Sequence, residues 1–343
     1  MRINNLLKIY SKKHSTPLQL NFLKNYNKFH QKNKLLEQSK FLKEELSIRL
    51  SHRVFDLLEL PYGLPLIPSI KEVIDLYCLS FNKIQNTKVN CDDDITKFTN
   101  ILIDIKNNHD HLEDSISKGL LLLNKEVDSS LINYDLINKE LDKFFLSRIS
   151  IRTLITQHTE IVNKNESIIT DCNLKNILKH SVDDVKYVCE RIYGDKPNIK
   201  LLNDEDIIFP YIPSHIYYIT NEILKNSCVA YFSKSNFDDD IIVNYSEGKD
   251  DIIIKISDKG ESFPLKDIGK ILTYSYSSTP IEIIEEYEIA NKPIICGLGY
   301  GLPMAKLYTK YFGGNLLISP IENVGTDIYI YINKFGNIHE KFI

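Results

Sequence analysis

The strongest constraint on this chain is a change of hydrophobic period near residue 165. Before it, apolar side chains recur at three- and four-residue spacings in Phe41–Leu60, Ile70–Phe81, Ile95–Asn107, Leu112–Leu123 and Ile132–Val162. That period lines one face of a helix. Pro61, Pro65 and Pro68 break the first pair, and the polar run Asn86–Asp94 breaks the next. Long helices joined by short or medium loops predict an antiparallel, four-helix-type bundle over residues 16–165. Beyond that point helices persist at Asn173–Glu190 and Pro213–Phe232, but short Ile-, Val- and Tyr-rich runs now intervene. These are Ile241–Tyr245, Asp251–Ser257, Leu316–Ser319 and Asp327–Ile332, and bounded by Gly, Asp and Asn they read as strands. The mixture predicts an α+β fold, its second domain an α/β sandwich over residues 166–336 with a mostly antiparallel or mixed sheet. The boundary is expected in the polar stretch Asn163–Ser167, with residues 337–343 as a short tail.

Length and charge agree with two soluble domains. At 343 residues the chain can bury more than one core. Its net charge of −4 gives no basis for a nucleic-acid partner. No run approaches the roughly eighteen apolar residues of a membrane span. Six scattered cysteines without a C-x-x-C pair point to reduced thiols rather than a disulfide or zinc framework. Residues 1–36 hold no Asp or Glu but carry Arg2 and seven lysines from Lys8 to Lys34. Residues 1–15 therefore resemble a mitochondrial presequence. The same composition equally suits a basic amphipathic first helix of the mature fold.

Three segments of the second half carry chemistry. Glu222 and Asn226 lie four apart within the helix opened by Pro213, so they share a face. A carboxylate can accept a proton there, and a carboxamide can ligate a hard cation. Alone, such a pair is more often a solvated helix face. Asp258-Lys259-Gly260 follows a strand, where a carboxylate can accept from an exocyclic amine; alone it is more often a simple turn. Gly297-Leu298-Gly299-Tyr300-Gly301-Leu302-Pro303 leads into the helical run Met304–Tyr311. Alternate glycines let backbone amides approach phosphate, and a helix start adds unpaired donors. The spacing is not that of a Walker A loop.

In this order the three segments resemble the ATP site of the GHKL superfamily, and more narrowly the mitochondrial α-ketoacid dehydrogenase kinase family. Pro213-Ser214-His215, Glu222–Asn226, Tyr274–Ser277, Gly297–Pro303, Leu307–Gly314 and Val324–Asp327 are similar to that family's successive boxes. Phe41–Leu50 and Ser147–His158 extend the likeness into the helical half, so it covers roughly residues 15–333.

The resemblance implies a protein-serine kinase of the mitochondrial matrix. It would transfer the γ-phosphoryl of ATP to the α subunit of the decarboxylase component of a 2-oxoacid dehydrogenase complex, pyruvate or branched-chain, inactivating it. Mg²⁺ is the implied cofactor, K⁺ a further cation, a homodimer the implied assembly, and the lipoyl-bearing core an anchor. By the same resemblance Glu222 is the general base, Asn226 the Mg²⁺ ligand, and Lys225 a positive charge near the phosphates. Asp258 reads adenine, beside Gly260 and Thr326. Ser277, Ser278, Gly297, Leu298, Gly299, Tyr300, Gly301 and Leu302 complete the nucleotide set, with residues 275–296 as a lid. His109, Ser147, Arg148 and Arg152 match a pocket for small 2-oxoacid-like inhibitors, where a guanidinium fork suits a carboxylate; structural Arg–acid pairs are the alternative. His158 is expected to be a satisfied helix residue.

Some residues depart from the family pattern. Ser262 stands where a second glycine is expected, Tyr218 where the pyruvate dehydrogenase kinases usually have His, and Val229 where an Arg is expected. The sequence contains no Trp and ends at Ile343 without the family's Asp-Trp tail, so the resemblance leaves tail-dependent crossover and lipoyl docking open. A degenerate ATP-binding scaffold of the same complex is the alternative function, which an intact Glu222/Asn226 pair disfavours.

Overall fold

The structure, a computed structural model, describes residues 5–25, 32–164, 166–233, 239–274, 299–336 and 338–340. The chain divides into two compact units between Ile168 and Ile169.

The first unit is helical. α1 (Asn5–Tyr10) and α2 (Leu20–Asn25) precede α3 (Lys32–Leu58), α4 (Pro68–Asn86), α5 (Asp92–Asn108), α6 (Leu112–Glu126) and α7 (Tyr134–Lys164). Pro68 opens α4 at a position where its missing N–H is not needed. Asp92, Asp93 and Asp94 fill the first turn of α5, where negative charge favours the exposed amides. α3 lies against α4 and α7, α4 against α6, and α5 against α7. Leu50, Val54 and Leu57 of α3 are fully buried, and Tyr77 of α4 meets Phe144 of α7 edge-on with centroids 5.5 Å apart.

Within the stretch expected as a presequence, α1 buries Leu7 and packs on α3. The Tyr10 hydroxyl donates to Glu44 at 2.9 Å. A buried ion pair then ties the following turn to the bundle. Arg49 Nε meets Glu45 Oε1 at 2.7 Å, with both side chains at most 3% exposed. The guanidinium also donates to Ser150 of α7 and, at 2.6 Å, to the Thr16 carbonyl. Glu45 in turn accepts from the Thr16 amide at 2.9 Å.

The second unit is a two-layer sandwich. Its elements are β1 (Thr170–Asn173), α8 (Leu174–Tyr193), β2 (Ile199–Leu201), β3 (Ile208–Tyr211), α9 (Pro213–Phe232), β4 (Ile241–Glu247) and β5 (Asp251–Asp258). After the short α10 (Ile268–Ile271) come α11 (Gly301–Tyr311), β6 (Asn315–Ile321) and β7 (Gly325–Asn333). The main sheet runs β2-β4-β5-β7-β6, with β2 parallel to β4 and the other neighbours antiparallel. Period-two burial puts Ile252, Ile254 and Ile256 of β5 on one face, opposite Ile332, Ile330 and Ile328 of β7. α9 packs on β4 and β5 and is flanked by α8 and α11.

The structure adds detail that the sequence reading did not reach. β1 and β3 form a separate antiparallel pair, and β2 joins the main sheet; strands of three or four residues are too short to show alternation. Residues 338–340, within the short tail, are packed. Glu340 is 4% exposed and accepts from the Tyr311 hydroxyl at 2.6 Å, and a Cβ on Gly313 would meet Ile338 Cδ1 at 2.5 Å.

Removing Glu45 strands a buried guanidinium, a change that typically costs about 3–5 kcal/mol. Glu45→Ala is expected to lower the urea stability of the full chain on that scale. A loss under about 1 kcal/mol would show the pair to be incidental.

Candidate functional site

The site residues of the second unit come from α9, the end of β5, the start of α11 and the start of β7. α9 carries Glu222 and Asn226 on one face because they are one helical turn apart. The Asn226 side chain donates through Nδ2 to the Glu222 carbonyl at 2.7 Å, which fixes the carboxamide against the helix. Lys225 Nζ contacts Glu222 Oε1, and the two side chains are 25% and 17% exposed.

α11 starts directly over this pair. A Cβ built on Gly301 would lie 2.5 Å from Glu222 Oε2 and 3.7 Å from Asn226 Nδ2. Only glycine allows this approach, and it sets the unpaired amides of the first turn of α11 beside the carboxylate. Gly299 just before it adopts a left-handed φ of 72°. Tyr300 is buried, with its ring 5.4 Å from that of Tyr274.

The opposite end of the site is Asp258, the last residue of β5. It is 7% exposed, and its Oδ2 accepts from the Ser227 hydroxyl at 3.0 Å. Its Oδ1 accepts from the Gly260 amide at 3.1 Å. Thr326, its partner across the β5–β7 ladder, also presents its amide. Burial pushes the Asp258 carboxyl up to about 6; the three donors pull it down, and the Asp327 charge adds to the rise. Gly260 is required by packing, since a Cβ there would meet the Ala230 carbonyl carbon of α9 at 2.4 Å.

The structure thus brings together Glu222, Lys225, Asn226 and Gly301 at one end, with Leu302 following on α11. Asp258, Gly260 and Thr326 meet at the other. Ser277, Ser278, Gly297, Leu298 and the expected lid at 275–296 lie outside the described residues. Ser227 was missed by the sequence reading. Its signal was a hydroxyl on the buried stripe that includes Ile223 and Leu224. The departing residues are accommodated: the Tyr218 ring lies on Tyr308 with centroids 4.5 Å apart, and the Ser262 hydroxyl donates to the Ile321 carbonyl at 3.1 Å.

The residues expected to form an inhibitor pocket lie in the first unit. His109 lies against Tyr77, centroids 4.6 Å apart, and shares a 2.9 Å hydrogen bond with Ser80. Burial, with the Arg148 and Arg152 charges, drives its imidazole down to about 3, so it is neutral at pH 7. Arg148 pairs with Glu113 at 2.8 Å and donates to the His109 carbonyl at 2.9 Å. Arg152 pairs with Asp110 at 2.8 Å. Both guanidinium forks are therefore matched to acids of the chain. Ser147 is buried in α7 beside Arg148. His158 shares a 3.0 Å hydrogen bond with Thr99, as a satisfied helix residue does. A separate cavity of about 440 Å³, lined by His52, Arg53, Asp56 and Lys143 among others, lies in this helical unit and includes no nucleotide-site residue.

The Asp258 shift has a sign that stability measurements read directly. The unfolded carboxyl titrates near 3.8 and the folded one at about 6, so between those values the native state binds the extra proton. Stability therefore falls as pH rises through that window, by about 3 kcal/mol in all. Denaturation of wild type and Asp258→Asn across the window should show this fall in wild type and not in the variant. Parallel pH profiles would contradict it.

Comparison with known proteins gives this geometry a family. Residues 17–188 match the family described as mitochondrial branched-chain alpha-ketoacid dehydrogenase kinase. The chain is 32% identical to a protein of Arabidopsis thaliana named [pyruvate dehydrogenase (acetyl-transferring)] kinase, mitochondrial, over 95% of this chain and 92% of that one. It is 29% identical to isozyme 1 of the Homo sapiens enzyme, over 86% and 72%. The Ascaris suum enzyme is 30% identical over 90% and 82%. By these matches the chain belongs to the mitochondrial α-ketoacid dehydrogenase kinase family.

Proposed function

We propose that the chain is an ATP-dependent protein kinase of the pyruvate dehydrogenase complex, acting in the mitochondrial matrix on serine of the decarboxylase α subunit. The observation that carries this reading is the placement of Glu222 and Asn226 against the amide-bearing start of α11, with a buried Asp258 bonded to Ser227 further along α9.

Each residue then has a physical task. The Asp258 carboxylate accepts from the adenine amine, fixing one end of the nucleotide. The α11 amides and Lys225 attract the phosphates at the other end. Asn226 would hold Mg²⁺ through its amide oxygen, a hard donor of the kind that ion prefers. When bound, the ion neutralises phosphate charge during transfer. Glu222 takes the proton of the acceptor hydroxyl as that oxygen bonds to the γ-phosphorus. The bond from phosphorus to the bridging oxygen breaks, and ADP leaves. Positioning and charge neutralisation supply most of the rate, and no covalent intermediate on the chain is needed.

The His109, Ser147, Arg148 and Arg152 cluster is proposed as the regulatory site for a small 2-oxoacid. A carboxylate entering there must exchange with Glu113 or Asp110 for a guanidinium fork. Asp110, nearly half exposed, is the more easily displaced of the two.

Two experiments test these readings. In transfer of radiolabelled phosphate from ATP to purified pyruvate dehydrogenase component, Glu222→Gln should bind ATP but lose activity by about 10²–10⁴-fold. Asn226→Ala should lose Mg²⁺-dependent ATP binding. Full activity in Glu222→Gln would sink the base assignment; no labelling by wild type that still binds ATP would leave the scaffold reading. For the regulatory site, Arg152→Gln is expected to abolish inhibition by pyruvate, and inhibition equal to wild type would refute the pocket.

A further inference from the structure

The adenine end of the site contains a hydroxyl that the proposed mechanism does not use. Ser227 follows Asn226 on α9, is 2% exposed, and donates to Asp258 Oδ2 at 3.0 Å. The Gly260 amide occupies Oδ1 at 3.1 Å, and the Thr326 amide is the third donor. An ionised carboxylate offers about four acceptor positions. Among the described residues, donors from α9, from the turn after β5 and from β7 fill three and leave one.

Resting on the ATP reading above, we propose that Ser227 is a specificity-determining residue: its hydroxyl pins the Asp258 carboxylate so that its one remaining acceptor position takes an exocyclic amine and rejects an exocyclic carbonyl. Adenine nucleotides are thereby selected over guanine nucleotides.

The selection depends on the carboxylate neither rotating nor taking a proton. A carbonyl facing a fixed carboxylate leaves two acceptors opposed and a buried polar group unpaired, a mismatch that sites use for strong rejection. A protonated carboxyl could instead donate its own O–H to that carbonyl, and a freely rotating one would not hold its acceptor in place; either way the preference would collapse. Burial pushes Asp258 toward the proton, and Asp327 on β7 pushes the same way, although its own charge is paired with Lys255 at 2.7 Å. On α9, the Ser227 hydroxyl works against both by bonding the charged form. It also ties Oδ2 to a helix that cannot shift, because Ala230 is already in contact with Gly260.

Calorimetric binding of Mg-ATP and Mg-GTP to the full chain, at pH values on either side of the Asp258 titration at about 6, tests this. Ser227→Ala should weaken ATP about tenfold without weakening GTP, so that the preference falls by the same factor. The acid limb of ATP binding should move to higher pH, because the charged form has lost a donor. Ser227→Cys, close in shape but a weaker donor, should fall between and serves as the probe if the alanine variant folds poorly. If the variants keep both the wild-type preference and its pH profile, Ser227 only packs and the proposal is overturned. Asp258→Asn separates the two levels: unchanged ATP affinity there would remove the nucleotide reading itself. Lost affinity there with wild-type behaviour at Ser227 would remove only this inference.

Discussion

Everything in the second unit is positioned by how closely α9 lies on the end of β5. The Gly260–Ala230 approach leaves no room for a side chain, and the Ser227–Asp258 hydrogen bond closes the same seam one turn earlier. Once that register is set, the helix itself measures out the site. From Ser227, which bonds Asp258, back to Glu222 is five residues, about 7.5 Å along the axis. The Asp258 end and the Glu222 end are thus two points along one helix rather than two loops that must find each other.

The transfer end repeats the device with a different partner. α11 reaches α9 at Gly301, where only hydrogen fits over Glu222. The carboxylate then sits between the Lys225 ammonium and the amides of a helix start. Both neighbours carry positive potential. Asn226 is oriented by its own bond to the Glu222 carbonyl, so both side chains are set by one turn of backbone.

Much of this was readable in the sequence, and the failures share a cause. The long helices α3 to α7 and α9, and strands β4 to β7, stood out because each shows at least one full period of its hydrophobic pattern. β1, β2 and β3, at three or four residues, do not. Glu222, Asn226, Asp258 and the glycine loop were singled out by order and spacing, since none is informative alone. Ser227 was hidden because a serine on a buried stripe reads as a small spacer; only the fold shows Asp258 opposite it. The arginines of the first unit show the converse. Their chemistry suited a carboxylate, but which carboxylate was a matter of packing, and in this structure Glu113 and Asp110 take the place.

Buried charge is handled differently according to its use. Arg49 is structural, and every side of it is answered: a carboxylate, a hydroxyl and a carbonyl surround a guanidinium that is almost fully buried. Arg148 and Arg152 are answered by acids that are themselves about a quarter and nearly half exposed, so those pairs can exchange partners with water or a ligand. Asp258 is held by dipoles, with the one charge set against it, Asp327, of its own sign. A cation beside it would stabilise the fold but would also satisfy the carboxylate before any base arrived. Three neutral donors are enough to hold and aim the charge yet too few to saturate it, and the remaining deficit, a carboxyl raised to about 6, is what a bound amine can relieve.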